Sequence, residues 1–133
     1  MDESDFLPAL SEVLRLAPDF GHRQHVHLAW RYLRSAEPSQ AEAQMRSAIQ
    51  HLAAAHGTPE KYHETLTTTW TRLIAAHVRS SDAETFEDFI EANSMLLDKR
   101  VPGHFFTEAT LTSDLARREW VEPDLRALPL TVR

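Results

Sequence analysis

The stretch from His22 to Leu33 decides the fold, and it reads HRQHVHLAWRYL. Successive residues of an α-helix are rotated by about 100°, so side chains three and four positions apart share a face. His25 and Tyr32 lie at the edge of the face that such a helix would bury. We therefore predict a helix over residues 22–36 that carries imidazoles on its inner side. The centre of that inner face is formed by His22, Val26, Ala29 and Leu33.

The same periodicity extends in both directions from this stretch and predicts an all-α fold. Ser39 and Glu42 form a capping-box signature, Gly57 is a candidate left-handed helix end, and Thr58-Pro59 is a favourable helix start. We predict one domain over residues 1–133, a bundle of about five to six helices, with an extended tail over 121–133 packed on its surface. The predicted helices cover residues 4–16, 22–36, 39–57 and 58–78, then a fifth that Ser81-Asp82 caps and Asn93-Ser94 interrupts, and a short one over 113–120.

Composition limits the function classes. The 133 residues carry a net charge of −6, which disfavours binding to nucleic acid or to an anionic membrane. Cysteine is absent, which excludes disulfides and thiolate metal sites. No apolar run reaches the ~20 residues of a membrane span, and the acidic start Met1–Asp5 lacks the features of a signal peptide. We therefore expect a cytoplasmic protein.

Three histidines suggest a metal site. His22 and His25 are three residues apart, which places their rings on neighbouring positions of one helix. His63 lies in the segment Lys61–Thr65, which reads KYHET, on the inner face of another predicted helix. Three imidazoles can hold zinc, iron or copper with one position left open for water or substrate. If the two helices are neighbours, the sequence predicts a divalent-metal site at His22, His25 and His63.

Other polar and aromatic residues complete the predicted site. Glu64 is the candidate general base, and Tyr62 is its candidate catalytic partner. Thr67, Tyr32 and Trp70 are the candidate ligand-binding residues. Together with the histidines, they predict a metal-dependent enzyme that acts on a small molecule.

Two other interpretations of the same histidines stay open. They could line a polar pocket without any metal or other cofactor, or they could fill the core as hydrogen-bonded structural residues. The alternative function is accordingly a non-catalytic module that binds a ligand or a protein. Neither the substrate nor the oligomeric state follows from the sequence.

Four segments of the chain resemble a family of short all-helical bacterial proteins that is uncharacterised. Its motifs are F-x-H-x-x-H, here beginning at Phe20, and K-Y-H-E-T, here beginning at Lys61. The resemblance implies a single helical domain in which His22, His25 and His63 belong to recurring motifs. It implies no activity, cofactor or substrate. The matching segments are residues 20–33, 61–67, 96–100 and 120–125.

Overall fold

The computed structural model describes residues 1–129, and within them the chain is all-helical without any β-strand. Five helices have seven residues or more, and two shorter ones lie near the C-terminal end. The predicted all-α fold is therefore confirmed. The helices are α1 (Leu7–Leu16), α2 (His22–Ser35), α3 (Pro38–Ala55), α4 (Glu64–Arg79), α5 (Phe86–Ala92), α6 (Glu108–Leu111) and α7 (Asp114–Arg118).

The first two helices form close to their predicted positions. Pro8 lies in the first turn of α1, where a missing N–H group breaks no helical hydrogen bond. A short 3₁₀ turn, Glu3–Asp5, precedes α1. α2 begins at His22, and the Gly21 N–H donates to Oε1 of Gln24 at 2.9 Å just before it. This contact fixes the entry of the chain into α2, next to the two histidines of interest.

The start of α3 differs from its prediction, whereas its end agrees. The predicted capping box of Ser39 and Glu42 is wrong, because the helix already begins at Pro38 and Glu37 is the flanking residue. Proline has a fixed φ that suits the first helical position, so it can start the helix without the help of a serine cap. Gly57 has a φ of 72°, which confirms the predicted left-handed residue after α3.

The start of α4 differs from its prediction, and this difference changes the position of His63 in the candidate site. A helix starting at Thr58-Pro59 was predicted, but Pro59–Lys61 forms a separate 3₁₀ turn and Tyr62 is extended. His63 is extended as well, with φ −131° and ψ 106°, and α4 begins only at Glu64. His63 therefore caps the helix from outside instead of lying within its inner face.

The core lies where α2, α3 and α4 pack against one another. α2 and α4 are neighbours, as the histidine hypothesis requires. Full burial of an aliphatic or aromatic side chain contributes ~1.5–3 kcal/mol to folding. The central packing therefore holds the start of α2 in a fixed position relative to α4. Fully buried side chains of this core include Leu28, Met45, Ile74 and Phe89.

The segment after α7 crosses the surface without helical structure as far as residue 129. Asp124 accepts hydrogen bonds from the Thr107 N–H and from the hydroxyls of Thr107 and Thr110. The Leu125 N–H donates to the Phe105 carbonyl at 2.9 Å. These contacts attach residues 124–125 to the chain around α6. The end of the predicted tail, residues 130–133, lies outside the described residues.

Candidate functional site

A cleft of about 420 Å³ opens at the start of α2, opposite the C-terminal half of α3. His22 and His25 form part of its wall, and the extended segment at Tyr62 forms another part. The remaining lining combines apolar side chains with cationic ones. It consists of Phe20, Gly21, Ile49, Leu52, Ala53, His56, Lys61 and Lys99.

His22 is held in one orientation by the protein. Its Nε2 lies 2.9 Å from the Leu96 carbonyl, and only an N–H can donate to a carbonyl, so Nε2 carries the hydrogen. The ring packs on Trp70, with 4.4 Å between the ring centroids. Burial lowers the pKa of His22, the Leu96 carbonyl opposes this effect, and the charge of Lys99 adds to it. The ring is therefore neutral at pH 7, with its lone pair on Nδ1.

His25 is the unusual residue of the cleft. Its ring centroid lies 6.2 Å from that of His22. Its Nε2 is buried, and no group of residues 1–129 forms a hydrogen bond with it. Burial, assisted by the nearby His22, lowers the pKa of His25 to about 4, so this ring is neutral at pH 7 as well. Most buried polar groups of folded proteins have a hydrogen-bond partner, so this nitrogen is an exception among the described residues.

His63 does not join the other two histidines in the cleft wall. Its Nδ1 accepts a hydrogen bond from the Leu66 N–H at 3.1 Å, and its Nε2 donates to the Leu111 carbonyl at 2.7 Å. Burial lowers the pKa of His63, although the bond to Leu111 opposes that effect. Both ring nitrogens are therefore occupied, and neither has a lone pair free for a metal.

The structure thus brings together two of the three predicted metal ligands. Within residues 1–129, no group of three or more histidine, aspartate or glutamate side chains is arranged to hold a metal ion. His22 and His25 are neighbours at the cleft, whereas His63 connects the start of α4 to Leu111, the last residue of α6. The reason is local, because the break at Tyr62 turns His63 into a helix cap.

The predicted general base, Glu64, is saturated with hydrogen bonds. Its carboxylate accepts from the Arg46 guanidinium at 3.1 Å, the Tyr62 hydroxyl at 2.6 Å and the Thr68 hydroxyl at 3.3 Å. Burial by itself raises the pKa of Glu64, but the hydrogen bonds from Arg46, Tyr62 and Thr68 outweigh it and the net pKa is lowered. Such a carboxylate is a poor proton acceptor.

Tyr62 reaches the cleft with its ring while its hydroxyl is bound to Glu64. Burial and the adjacent Glu64 carboxylate raise the pKa of Tyr62, so it stays protonated in the physiological range. The side chain of Thr67 acts in the opposite direction and lowers the pKa of Tyr62. The two predicted catalytic residues therefore form one closed network in which Tyr62 is the member exposed to the cleft.

Thr67 and Trp70 lie behind the cleft wall and not on its surface. Both are buried, and neither belongs to the lining. The Thr67 side chain affects the pKa of Tyr62, and Trp70 packs on the ring of His22. The two residues predicted to touch a ligand thus act on residues that line the cleft.

Tyr32 lies apart from this cleft and lines a separate one with Arg31 and Arg34. Its buried hydroxyl donates to the Phe6 carbonyl at 2.6 Å and so ties α2 to the residue before α1. Tyr32 was predicted to bind a ligand, but its hydroxyl is engaged in a hydrogen bond that stabilises the fold.

Replacing Tyr32 by phenylalanine is expected to lower the free energy of unfolding by about 1 kcal/mol, because the Phe6 carbonyl would lose the Tyr32 hydroxyl and keep only the Leu10 N–H, at 3.3 Å. Urea denaturation followed by circular dichroism measures this loss. The binding of any ligand at the His22 cleft should not change. A Tyr32→Phe protein with wild-type stability and impaired binding would contradict the structural role.

Eight of the eleven lining residues were not among the predicted site residues, and two of these eight are the lysines Lys61 and Lys99. Lys61 lies within the KYHET motif, and Lys99 lies within the segment 96–100 that resembles the helical family. A signal was nevertheless present, because Lys61 and Lys99 are the only two lysines among 133 residues, whereas the other cationic side chains are arginine or histidine. Sequence separation hid their proximity to the same cleft.

Comparisons of the chain with protein-family models, with curated proteins and with solved structures find no match. The resemblance to an uncharacterised helical family therefore stays a prediction, and the function has to be inferred from the geometry of the site. Within residues 1–129, every helix is too short or too polar to serve as a membrane span.

Proposed function

We propose that the protein binds a small organic molecule in the cleft that His22 and His25 line. The observation that carries the proposal is the buried Nε2 of His25, which has no hydrogen-bond partner among residues 1–129. Leaving a buried polar group unpaired costs about 1–3 kcal/mol, and a bound ligand could supply the missing partner.

The form of the cleft supports this proposal. Its volume of about 420 Å³ falls within the ~300–1,000 Å³ that is typical of small-molecule sites. Phe20, Ile49 and Leu52 offer an apolar surface, while neutral imidazoles and one tyrosine offer a few polar groups. Apolar walls with a small number of fixed polar groups are the usual composition of such sites.

Binding without catalysis is the function that this geometry supports best. Glu64 has its acceptor positions filled by Arg46, Tyr62 and Thr68. The Tyr62 proton is held by that carboxylate, so neither residue is poised to transfer a proton to a ligand. Zinc, iron or copper binding would have to use His22 and His25 without His63, whose ring nitrogens are both hydrogen-bonded.

Ligand binding is tested by nuclear magnetic resonance of protein labelled in its histidine rings. Benzamide, benzoate and benzylammonium serve as neutral, anionic and cationic probes, and zinc chloride as a fourth. We expect at least one organic probe to shift the signals of His22 and His25 while leaving His77 unchanged. His77 is a suitable internal control because it contacts the Leu73 carbonyl of its own helix and does not line the cleft.

The variant His25→Leu distinguishes a ligand-binding role of His25 from a purely structural one. His25→Leu removes the unpaired nitrogen, so at pH 7 it should raise the free energy of unfolding by about 1 kcal/mol while abolishing the probe-induced shifts of His22. His77→Leu is the matched control and should retain those shifts. If none of the organic probes moves the cleft signals of the wild-type protein at millimolar concentration, the proposed function fails.

A further inference from the structure

We infer that the ligand of this cleft is a small organic anion with an apolar body, whose negative charge lies between Lys61 and Lys99. The inference rests on the proposed function and adds the chemical class of the ligand. Both lysines of the entire chain line this one cleft. In a protein with a net charge of −6, that placement concentrates positive charge where the histidine pair already marks a pocket.

No carboxylate of the described chain forms an ion pair with Lys61 or Lys99. None of the described residues lining the cleft is aspartate or glutamate. Asp98, next to Lys99 in sequence, is engaged by Arg100, whose Nε and Nη2 lie 3.0 and 2.9 Å from its two oxygens. Within residues 1–129, the ion pairs involve arginine only, so Lys61 and Lys99 are available to an external anion.

The position of the lysines relative to the other cleft groups supports an anionic ligand. Lys99 lines the same cleft as His22, and its charge contributes to the lowered pKa of that imidazole. α2 also starts at the cleft, and the N-terminal end of a helix carries a partial positive charge. A carboxylate at this point would interact with the two ammonium groups and with the end of the helix.

The other residues of the cleft indicate which kind of molecule carries the negative charge of the ligand. Phe20, Ile49 and Leu52 face the ligand with hydrocarbon, and His25 supplies one neutral hydrogen-bonding ring. Lys61 and Lys99 are the only lysine or arginine side chains of the described lining, and two such charges match a single carboxylate better than the several negative charges of a polyphosphate. A carboxylate on an aromatic or aliphatic body fits this lining better than a polyphosphate does.

The experiment compares probes of the same shape and different charge. Benzoate, benzamide and benzylammonium are titrated into the protein after reductive methylation with ¹³C-formaldehyde, which labels Lys61, Lys99 and the N-terminus while keeping their charges. We expect benzoate to bind about tenfold more tightly than benzamide and to shift both lysine signals. Raising the salt concentration from about 0.05 M to about 0.5 M should weaken the binding of benzoate and not that of benzamide.

Charge-removing variants provide the second readout. Lys61→Gln combined with Lys99→Gln should weaken benzoate binding about tenfold and leave benzamide binding unchanged. The matched control, Arg118→Gln combined with Arg126→Gln, removes two exposed cations outside the cleft and should change benzoate affinity less than about twofold. All four positions are exposed, and circular dichroism checks that each variant is folded.

The outcomes distinguish this inference from the proposed function. Equal affinity for benzoate and benzamide, or tightest binding of benzylammonium, overturns the anionic ligand while leaving the binding cleft in place. Unchanged benzoate affinity in the double lysine variant overturns it as well. If no probe shifts the histidine or lysine signals, the cleft does not bind small molecules and both proposals fail.

Discussion

Lowering the pH from 7 to 4 is expected to reduce the free energy of unfolding by about 3 kcal/mol through His25 alone. Burial lowers the pKa of this residue to about 4, against an ordinary value of 6.5 that we assign to the unfolded chain. The unfolded state therefore takes up a proton first as the pH falls. Stability from the neutral ring is complete above about pH 6.5 and is lost progressively towards pH 4.

Other histidines act in the same direction. Burial lowers the pKa values of His22, His27 and His63, so each of these rings also favours the folded state more strongly at neutral than at acidic pH. The total loss in acid should therefore exceed the contribution of His25.

Urea denaturation at several pH values between 7 and 4 measures this dependence. The His25→Leu variant should show a clearly shallower loss of stability in acid, because the largest single contribution has been removed. His104→Gln, at an exposed position, is the control and should follow the wild-type curve. Parallel curves for wild type and His25→Leu would show that the buried imidazole does not dominate the acid response.

Replacing His63 by alanine is expected to lower the free energy of unfolding by about 2 kcal/mol. The variant loses the cap on the Leu66 N–H and leaves the Leu111 carbonyl without its donor. His63→Asn should recover about half of this loss, because asparagine accepts the N-terminal hydrogen bond but does not extend to Leu111. Thermal and urea unfolding of the three proteins measure these differences.

The same variants decide between a structural cap and the metal ligand that the sequence predicted. If His63 is a cap, His63→Ala binds probes at the His22 cleft as the wild type does, once it is measured under conditions where it is folded. Suppose instead that the wild-type protein binds stoichiometric zinc, iron or copper, and that His63→Ala loses this metal but keeps full stability. That result would support the predicted metal site of three histidines and contradict the structural cap. Elemental analysis of protein purified without an affinity tag provides that measurement.

Local signals in the sequence identified several features of the helices, although the predicted Ser81-Asp82 cap is wrong because α5 begins at Phe86 after a Thr85 cap. The inner face of α2, the left-handed Gly57 and the interruption near Asn93-Ser94 depend on interactions within about four residues, so a single sequence can reveal them. The structure shows α5 ending at Ala92 and a 3₁₀ turn, Ser94–Leu97, following it.

Predictions failed where two local signals competed. Thr58-Pro59 and His63 are both possible starts for α4, and the sequence pattern favoured the first. In the structure α4 begins directly after His63, whose ring is hydrogen-bonded to the Leu66 N–H and to the Leu111 carbonyl. The second of these partners is distant in sequence and could not be included in a local argument.

In the candidate site, too, local patterns were predicted correctly and contacts between distant segments were not. Its histidines at 22 and 25 were found because a helix places positions three apart side by side. Lys61 and Lys99, the saturation of Glu64 and the supporting positions of Thr67 and Trp70 were not found, since each depends on which segments pack together.

The sequence by itself therefore determined an all-helical chain with two adjacent imidazoles at the start of α2, because short-range sterics and hydrogen bonding set helical periodicity. Only the tertiary structure decided that the Nε2 of His25 is buried with no hydrogen-bond partner among residues 1–129, that His63 caps another helix, and that both lysines border one cleft. Burial and proximity between distant segments result from the packing of the whole chain, and no pattern along a single helix encodes them.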